Sequence, residues 1–217
     1  MSDICTEELF LKDVKEHVIE IIRDDGVHRH IRFKKTGTGC MHFDLITWPG
    51  YLCYTGDMGT YVFTRLMDMF EFFRTDRRDE NKLGINLGYW SEKLIAVNSN
   101  GRFGGSAEEF CEDSFRRAIN EYRIEWMREG FENGTLRKKE RRELWEAVDW
   151  QVLDEIDNGE LSALHAAQDF RYFIGKNEKP YEFTDFFEHN FKKYTFHFIW
   201  CCYAIAWGIL KYDEFKK

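Results

Sequence analysis

The chain has 217 residues, of which 43% are hydrophobic and 32% charged, a globular balance that excludes an intrinsically disordered polymer. That length supports one sizeable core and is short for two full domains. A formal charge of -8 argues against attraction of the whole chain to nucleic acid, and two prolines, Pro49 and Pro180, leave no Pro-rich linker.

The elements follow in order. Leu11, Val14, Val18, Ile21 and Ile22 fall at helical spacing and predict a first helix over 7–23, with Thr6 as its N-cap and Asp24-Asp25-Gly26 as its stop. The period then changes from helical to alternating. Residues 27–35 place Val27, Arg29, Ile31 and Phe33 on one side and His28, His30, Arg32 and Lys34 on the other. Gly37-Thr38-Gly39 is a turn, 40–48 a second strand, and Pro49-Gly50 a tight turn. Residues 51–55 form a third strand, Gly56-Asp57-Met58-Gly59 a turn, and 60–63 a fourth strand. Short links between consecutive strands imply antiparallel neighbours, so 27–63 is predicted to be a four-stranded meander.

Helices are predicted after it. Leu66, Met69, Phe70 and Phe73 recur at helical spacing, 74–83 is a charged loop, 89–97 a short helix and 98–105 a Gly-containing break. Ser106 with Glu109 reads as a capping box for a helix bearing Cys111, Phe115, Ala118, Ile119, Tyr122 and Trp126. Helices over 135–157 and 160–174, a short one over 181–190 and an apolar final helix over 194–212 complete the chain. The fold class is α+β: an N-terminal four-stranded antiparallel meander packed with a mostly helical C-terminal portion, 64–217, in one domain spanning 1–217. Aromatic residues make up 17% of the chain, so rings rather than aliphatic side chains are expected to fill the core.

Six cysteines without a C-x-x-C pair, and no secretory leader at 1–8, predict reduced thiols in a cytoplasmic protein. The uncharged stretch 198–210 spans about 20 Å as a helix against about 30 Å of bilayer hydrocarbon, so it is read as a buried helix and no membrane partner is expected.

Three constellations carry potential chemistry. His28, His30 and His42 lie on neighbouring predicted strands, where imidazoles can converge on a transition metal. Arg32 and Lys34 continue that face and no carboxylate or cysteine completes a ligand set, so a solvated strand face is the favoured reading and no metal is assigned. The loop Thr55-Gly56-Asp57-Met58-Gly59-Thr60 offers Asp57 as an acid, a base or a contact for a basic partner. A hairpin turn in which Asp57 bonds its own backbone accounts for the same residues. Arg137, Lys138, Lys139, Arg141 and Arg142 form a basic run at the start of a predicted helix, where positive charge opposes the macrodipole. The run suits phosphate, but a solvated helix face is the favoured reading. No G-x-S-x-G, H-E-x-x-H, Walker or G-x-G-x-x-G pattern is present, so no catalytic residue and no cofactor is assigned.

Several separated motifs agree in order with one family. They are Phe43-Asp44-Leu45-Ile46-Thr47-Trp48-Pro49-Gly50-Tyr51-Leu52, Thr55-Gly56-Asp57-Met58-Gly59-Thr60-Tyr61-Val62-Phe63 and Asp68-Met69-Phe70-Glu71-Phe72-Phe73-Arg74. Gly88-Tyr89-Trp90-Ser91-Glu92-Lys93-Leu94 and His197-Phe198-Ile199-Trp200-Cys201-Cys202-Tyr203-Ala204 continue the series. With these the chain resembles a family of small uncharacterised proteins encoded by tailed phages and prophages. The resemblance implies an accessory protein, acting in the host cytoplasm, that binds and inhibits or modulates a host protein complex. An anti-defence, anti-CRISPR-like inhibitor is the specific form expected, binding through Trp48, Tyr51, Asp57 or the basic run. The alternative is a metal-dependent enzyme acting on a nucleotide or nucleic acid.

Overall fold

A computed structural model describes residues 4–76, 82–98, 106–176 and 179–217. Residues 77–81 of the predicted loop 74–83, and 99–105 of the predicted break 98–105, lie outside these residues. The chain divides into two compact units, one formed by Met1–Glu109 with Tyr194–Lys217 and the other by Phe110–Lys193.

The first unit is built on an antiparallel sheet of six strands, not four, in the order β1 (His17–Asp25), β2 (His28–Lys35), β3 (Phe43–Trp48), β4 (Tyr51–Gly56), β5 (Gly59–Thr64) and β6 (Leu94–Val97). The four central strands are those the alternation and the Gly and Pro turns predict. The two outer ones correct the sequence reading. The first helix, α1 (Glu7–Asp13), is capped by Thr6 as expected but ends before His17. Val18, Ile19, Ile21 and Ile22 satisfy helical and alternating periods at once, and β-branching resolves the tie toward strand. Asp24-Asp25-Gly26 does not stop a helix. It turns the chain from β1 into β2, with Gly26 at φ 60° in the left-handed region that glycine occupies without steric cost. Likewise α3 (Leu87–Ser91) is shorter than predicted, and Leu94-Ile95-Ala96-Val97 leaves it to pair with β5.

Two helices complete this unit. Asp68 caps α2 (Met69–Arg74), accepting from the Phe70 N–H at 2.9 Å. The apolar α7 (Phe196–Phe215) runs under the sheet, with Phe198, Trp200, Cys201, Cys202 and Ile205 fully buried. Among the described residues no helix is long and apolar enough to cross a membrane. The core is aromatic, as the composition predicts. Phe33, Phe43 and Tyr54 stack in series at 4.9 and 5.7 Å, and Trp200 meets Phe43 edge-on at 5.7 Å.

Gly56 shows how closely the turns are fitted. A Cβ built there would lie 2.2 Å from the His42 carbonyl oxygen and 2.8 Å from the Phe43 Cα, both backbone atoms that no rotamer change moves. Gly56→Ala is therefore expected to lower stability by about 2 kcal/mol, read as a shifted urea midpoint at unchanged slope.

The second unit is mostly helical. Where the chain passes from one unit to the other, a short strand pair, β7 (Glu108–Phe110) with β8 (Lys192–Tyr194), stands in place of the predicted capping box, and Ser106 accepts from the Glu108 N–H. The helix α4 (Glu112–Glu132) then begins at Cys111 without a side-chain cap. The helix predicted over 135–157 is α5 (Lys138–Val148), continued by a wider π turn at Asp149–Leu153 and a 3-10 turn at Asp154–Asn158. The helix α6 (Glu160–Asp169) follows, and the helix predicted over 181–190 is reduced to a 3-10 turn at Phe186–Glu188. Phe115, Ile119, Leu144, Val148, Val152 and Ala163 form the centre of this unit's own core. Arg123 is buried within it, stacked 3.7 Å over Trp145 and bonded to Asp149 at 2.6 Å.

Candidate functional site

Alternation along β2 to β5 sorts side chains onto two faces. Ile31, Phe33, Phe43, Leu45, Leu52, Tyr54, Tyr61 and Phe63 point into the core and are fully buried. The register sets His30, Ile46, Cys53 and Val62 in one row across the other face, and Arg32, Asp44, Thr55 and Thr60 in the next. Apart from Asp44, these residues keep partial exposure. This open face carries the candidate site.

Its centre is polar. The Arg32 guanidinium donates two bonds to Asp44, from Nε at 2.8 Å and Nη2 at 2.9 Å, and His30 Nε2 lies 2.7 Å from Asp44 Oδ2. Burial pushes the Asp44 carboxyl up, but the bonds from Arg32 and His30 outweigh it and hold the group below the ordinary carboxylate range. Thr55 and Thr60 bond across β4 and β5 at 2.8 Å. Burial, with Asp44 nearby, pushes the Cys53 thiol up, which keeps it a thiol rather than a nucleophilic thiolate.

The depressed Asp44 carboxyl has a measurable sign. Its bonds contribute stability above the unfolded-state pKa, and that contribution is lost as pH falls through the lower folded-state value. Asp44→Asn is expected to cost about 2 kcal/mol at neutral pH. The gap to wild type should narrow on acidification, in denaturant melts run along a pH series.

One end of the open face is aromatic. Pro49-Gly50 turns β3 into β4 with Gly50 at φ 87°, which sets Trp48 directly opposite Tyr51. Their rings stack 5.2 Å apart at an interplanar angle of 17°. The Gly50 N–H donates to the Met67 carbonyl at 3.0 Å and Thr64 Oγ1 donates to the Gly50 carbonyl at 2.8 Å. These bonds bring the bend before α2 alongside the hairpin. The result is an apolar patch in which Trp48 is 37% exposed, Leu66 43% and Met67 69%.

The predicted residues fall in three places. Trp48 and Tyr51 share this patch. His28 and His30 lie on the open face as expected, but His42 sits in the turn before β3 rather than on a strand. His42 Nδ1 lies 2.8 Å from the Gly39 carbonyl and 3.0 Å from Asp57 Oδ1. Thus His30 and His42 engage different carboxylates, and the three histidines do not converge. Among the described residues no group of three His, Cys, Asp or Glu side chains is arranged to hold a metal. Asp57 is not a free loop-tip acid either. Its Oδ2 accepts from the Met41 N–H at 2.6 Å, and its own N–H donates to the His42 carbonyl at 3.2 Å. It braces the loop before β3 against the β4–β5 hairpin.

The basic run lies in the second unit, and two of its cations pair within their own helix while a third packs on α4. Arg142 pairs with Glu146 at 2.7 Å, Lys139 with Glu143 at 3.5 Å, and Arg141 lies 5.0 Å over the Phe131 ring. Glu140 accepts from the Arg137 N–H at 2.6 Å, which offsets the unfavourable dipole placement of the cations. Arg137 and Lys138 are exposed.

The sequence reading missed Asp44, Leu66 and Met67 as parts of a site. Asp44 was findable, because strand alternation alone puts it on one face with Ile46 and Trp48. Met67 was not, since a backbone bond between two turns places it. No protein-family model matches the chain, and comparison with curated proteins and with solved structures finds no match, so the reading of the site rests on its own residues.

Proposed function

We infer that the chain is a binding protein whose working surface is the aromatic end of the open sheet face, and that its partner is a protein. The observation that carries this is the stacked Trp48–Tyr51 pair beside exposed Met67 and Leu66. Large rigid rings and methionine are the side chains that anchor protein interfaces, because they bury much area at little entropic cost. The polar centre at Asp44, Arg32 and His30 supplies an oriented rim. The resemblance to phage and prophage proteins supports a host protein complex as the partner, in the host cytoplasm. The specific form proposed is an anti-CRISPR-like antagonist of a defence system.

The test compares the full chain with the Trp48→Ala/Tyr51→Ala variant as baits in host lysate, followed by affinity measurement on any purified partner. Because both rings stand on the exposed face, the variant should keep its fold, checked by circular dichroism. Its affinity for the partner is expected to fall by about thirtyfold or more, the size of an interface hot spot near 2 kcal/mol. A partner held equally by both baits overturns the site. Plaque counts on defence-proficient and defence-deficient hosts examine the specific form separately: a wild-type chain that gives no protection removes it, and protection by wild type and variant alike removes the site instead.

A further inference from the structure

A groove of about 700 Å³ lies within the first unit, between α1, β1 and α7. On α7, Trp207, Lys211, Glu214 and Phe215 recur at i, i+4, i+7 and i+8, so one stripe of the helix faces it. Opposite stand Leu11 of α1, then Val14 and Lys15 in the turn that leads into β1. The floor is apolar, since Val14, Phe33 and Trp207 line it while almost wholly buried. The walls are apolar too, and Leu11, Val18 and Phe215 stand exposed there. Single exposed apolar side chains need no explanation. Three around one concavity, over an apolar floor, are the lining of a ligand groove, and the volume falls within the range of small-molecule sites, about 300–1,000 Å³.

The charges at the groove select the ligand's polar end. Glu214 accepts from Lys211 at 2.8 Å, and Lys211 Nζ lies 5.9 Å from the Trp207 ring. His17 Nε2 donates to the Met41 carbonyl at 2.9 Å. Two nearby acids are engaged elsewhere. Glu16 pairs with Lys35 of β2, and Asp13 accepts from the Trp200 indole N–H at 3.0 Å. Lys15 is exposed and, among the described residues, has no ion pair or hydrogen bond. The lining thus sets two lysines against one carboxylate, an excess of one positive charge over an apolar floor. A neutral apolar ligand leaves that charge unused, and a cationic one is repelled by it. An acyl chain ending in a carboxylate answers both features.

We propose that this groove binds a monomeric fatty acid, with the acyl chain over Val14, Phe33 and Trp207 and the carboxylate at Lys15 and Lys211. Trp48 and Tyr51 stand on the open face of the sheet, whereas Phe33 belongs to its core side, so the fatty-acid site and the proposed partner surface stand or fall separately.

Calorimetric titration of the full chain with decanoate, below the concentration at which it forms micelles, tests the proposal, with decyltrimethylammonium and acetate as comparisons. Decanoate should bind saturably, one per chain, and at least about tenfold more tightly than either comparison. Lys15→Glu exchanges an attraction for a repulsion and should weaken decanoate about tenfold. Phe215→Ser removes apolar cover and should weaken it about threefold or more. Both positions are exposed, so the melting profiles should stay those of wild type. A wild-type chain with no saturable site for decanoate overturns the proposal. So does decyltrimethylammonium bound as tightly as decanoate, or a decanoate affinity that neither substitution moves.

Discussion

Asp68→Ala is expected to be among the most damaging single substitutions in the chain, at about 4 kcal/mol of folding stability. The reason is the charge it strands. Arg29 lies on the core side of β2, only 8% exposed, and its guanidinium donates to both oxygens of Asp68 at 2.9 and 2.8 Å. The same group sits 4.6 Å over the Phe70 ring and 5.6 Å from Tyr212. A carboxyl left alone can take up a proton, but a guanidinium cannot shed one near neutral pH, so the orphaned cation must be buried charged or pull the strand open. Asp68 also caps α2, and that bond is lost with it.

The sign with pH follows from the pair. Burial pushes the Asp68 carboxyl up, yet the bonds from Arg29 and the Phe70 N–H hold it below its ordinary value. Its contribution is present above the unfolded-state pKa and is lost as pH falls through the folded-state one. Asp68→Ala should therefore differ most from wild type near neutral pH and least in strong acid. Arg29→Met/Asp68→Ala separates charge burial from cap loss. With the cation gone and an apolar chain of similar length in its place, the double variant should be more stable than Asp68→Ala alone. Urea midpoints for the four members of the cycle would show it, and a double variant no better than Asp68→Ala would contradict the stranded-charge account.

That pair also marks where sequence reading stops. Arg29 and Asp68 are 39 positions apart, and nothing in the local pattern of either announces the other. The same holds for His42 with Asp57 and for Gly50 with Met67, where turns meet across the sheet. What was legible had a local cause. Pro49-Gly50 and Gly56-Asp57-Met58-Gly59 punctuate alternating runs, and turn chemistry fixes their register, so β2 to β5 and the facing of Trp48 on Tyr51 follow directly. The strands β1 and β6 were read as helix because Val-Ile-Glu-Ile-Ile and Leu-Ile-Ala-Val fit two periods, and only pairing with a neighbour decides between them. The internal pairing of the basic run also has a local cause. Glu143 and Glu146 stand four residues after Lys139 and Arg142, a spacing that neutralises both on a helix and was available from the sequence.

Trp200→Ala should cost about as much as Asp68→Ala, roughly 3–5 kcal/mol, by a different route. Trp200 is fully buried at the centre of the first unit's core, where it meets Phe10 at 4.9 Å and Phe43 at 5.7 Å, both edge-on. Truncation leaves a cavity lined by large rings, which cannot collapse onto it without leaving their rotamers. The indole N–H also donates to Asp13 Oδ2 at 3.0 Å, tying the last residue of α1 to α7. Trp200→Phe keeps most of the volume and loses that bond, so it should cost about 1–2 kcal/mol. The two variants should differ in place as well as size. Releasing Asp13 loosens α1 and the chain leading into β1, so in Trp200→Phe amide exchange should rise in α1 and at the start of β1 while β3 and β4 stay protected. In Trp200→Ala the core loss should spread to β3, where Phe43 loses its partner. Exchange that rises evenly in both variants would mean that the indole fills space and the Asp13 bond does not hold α1 in place.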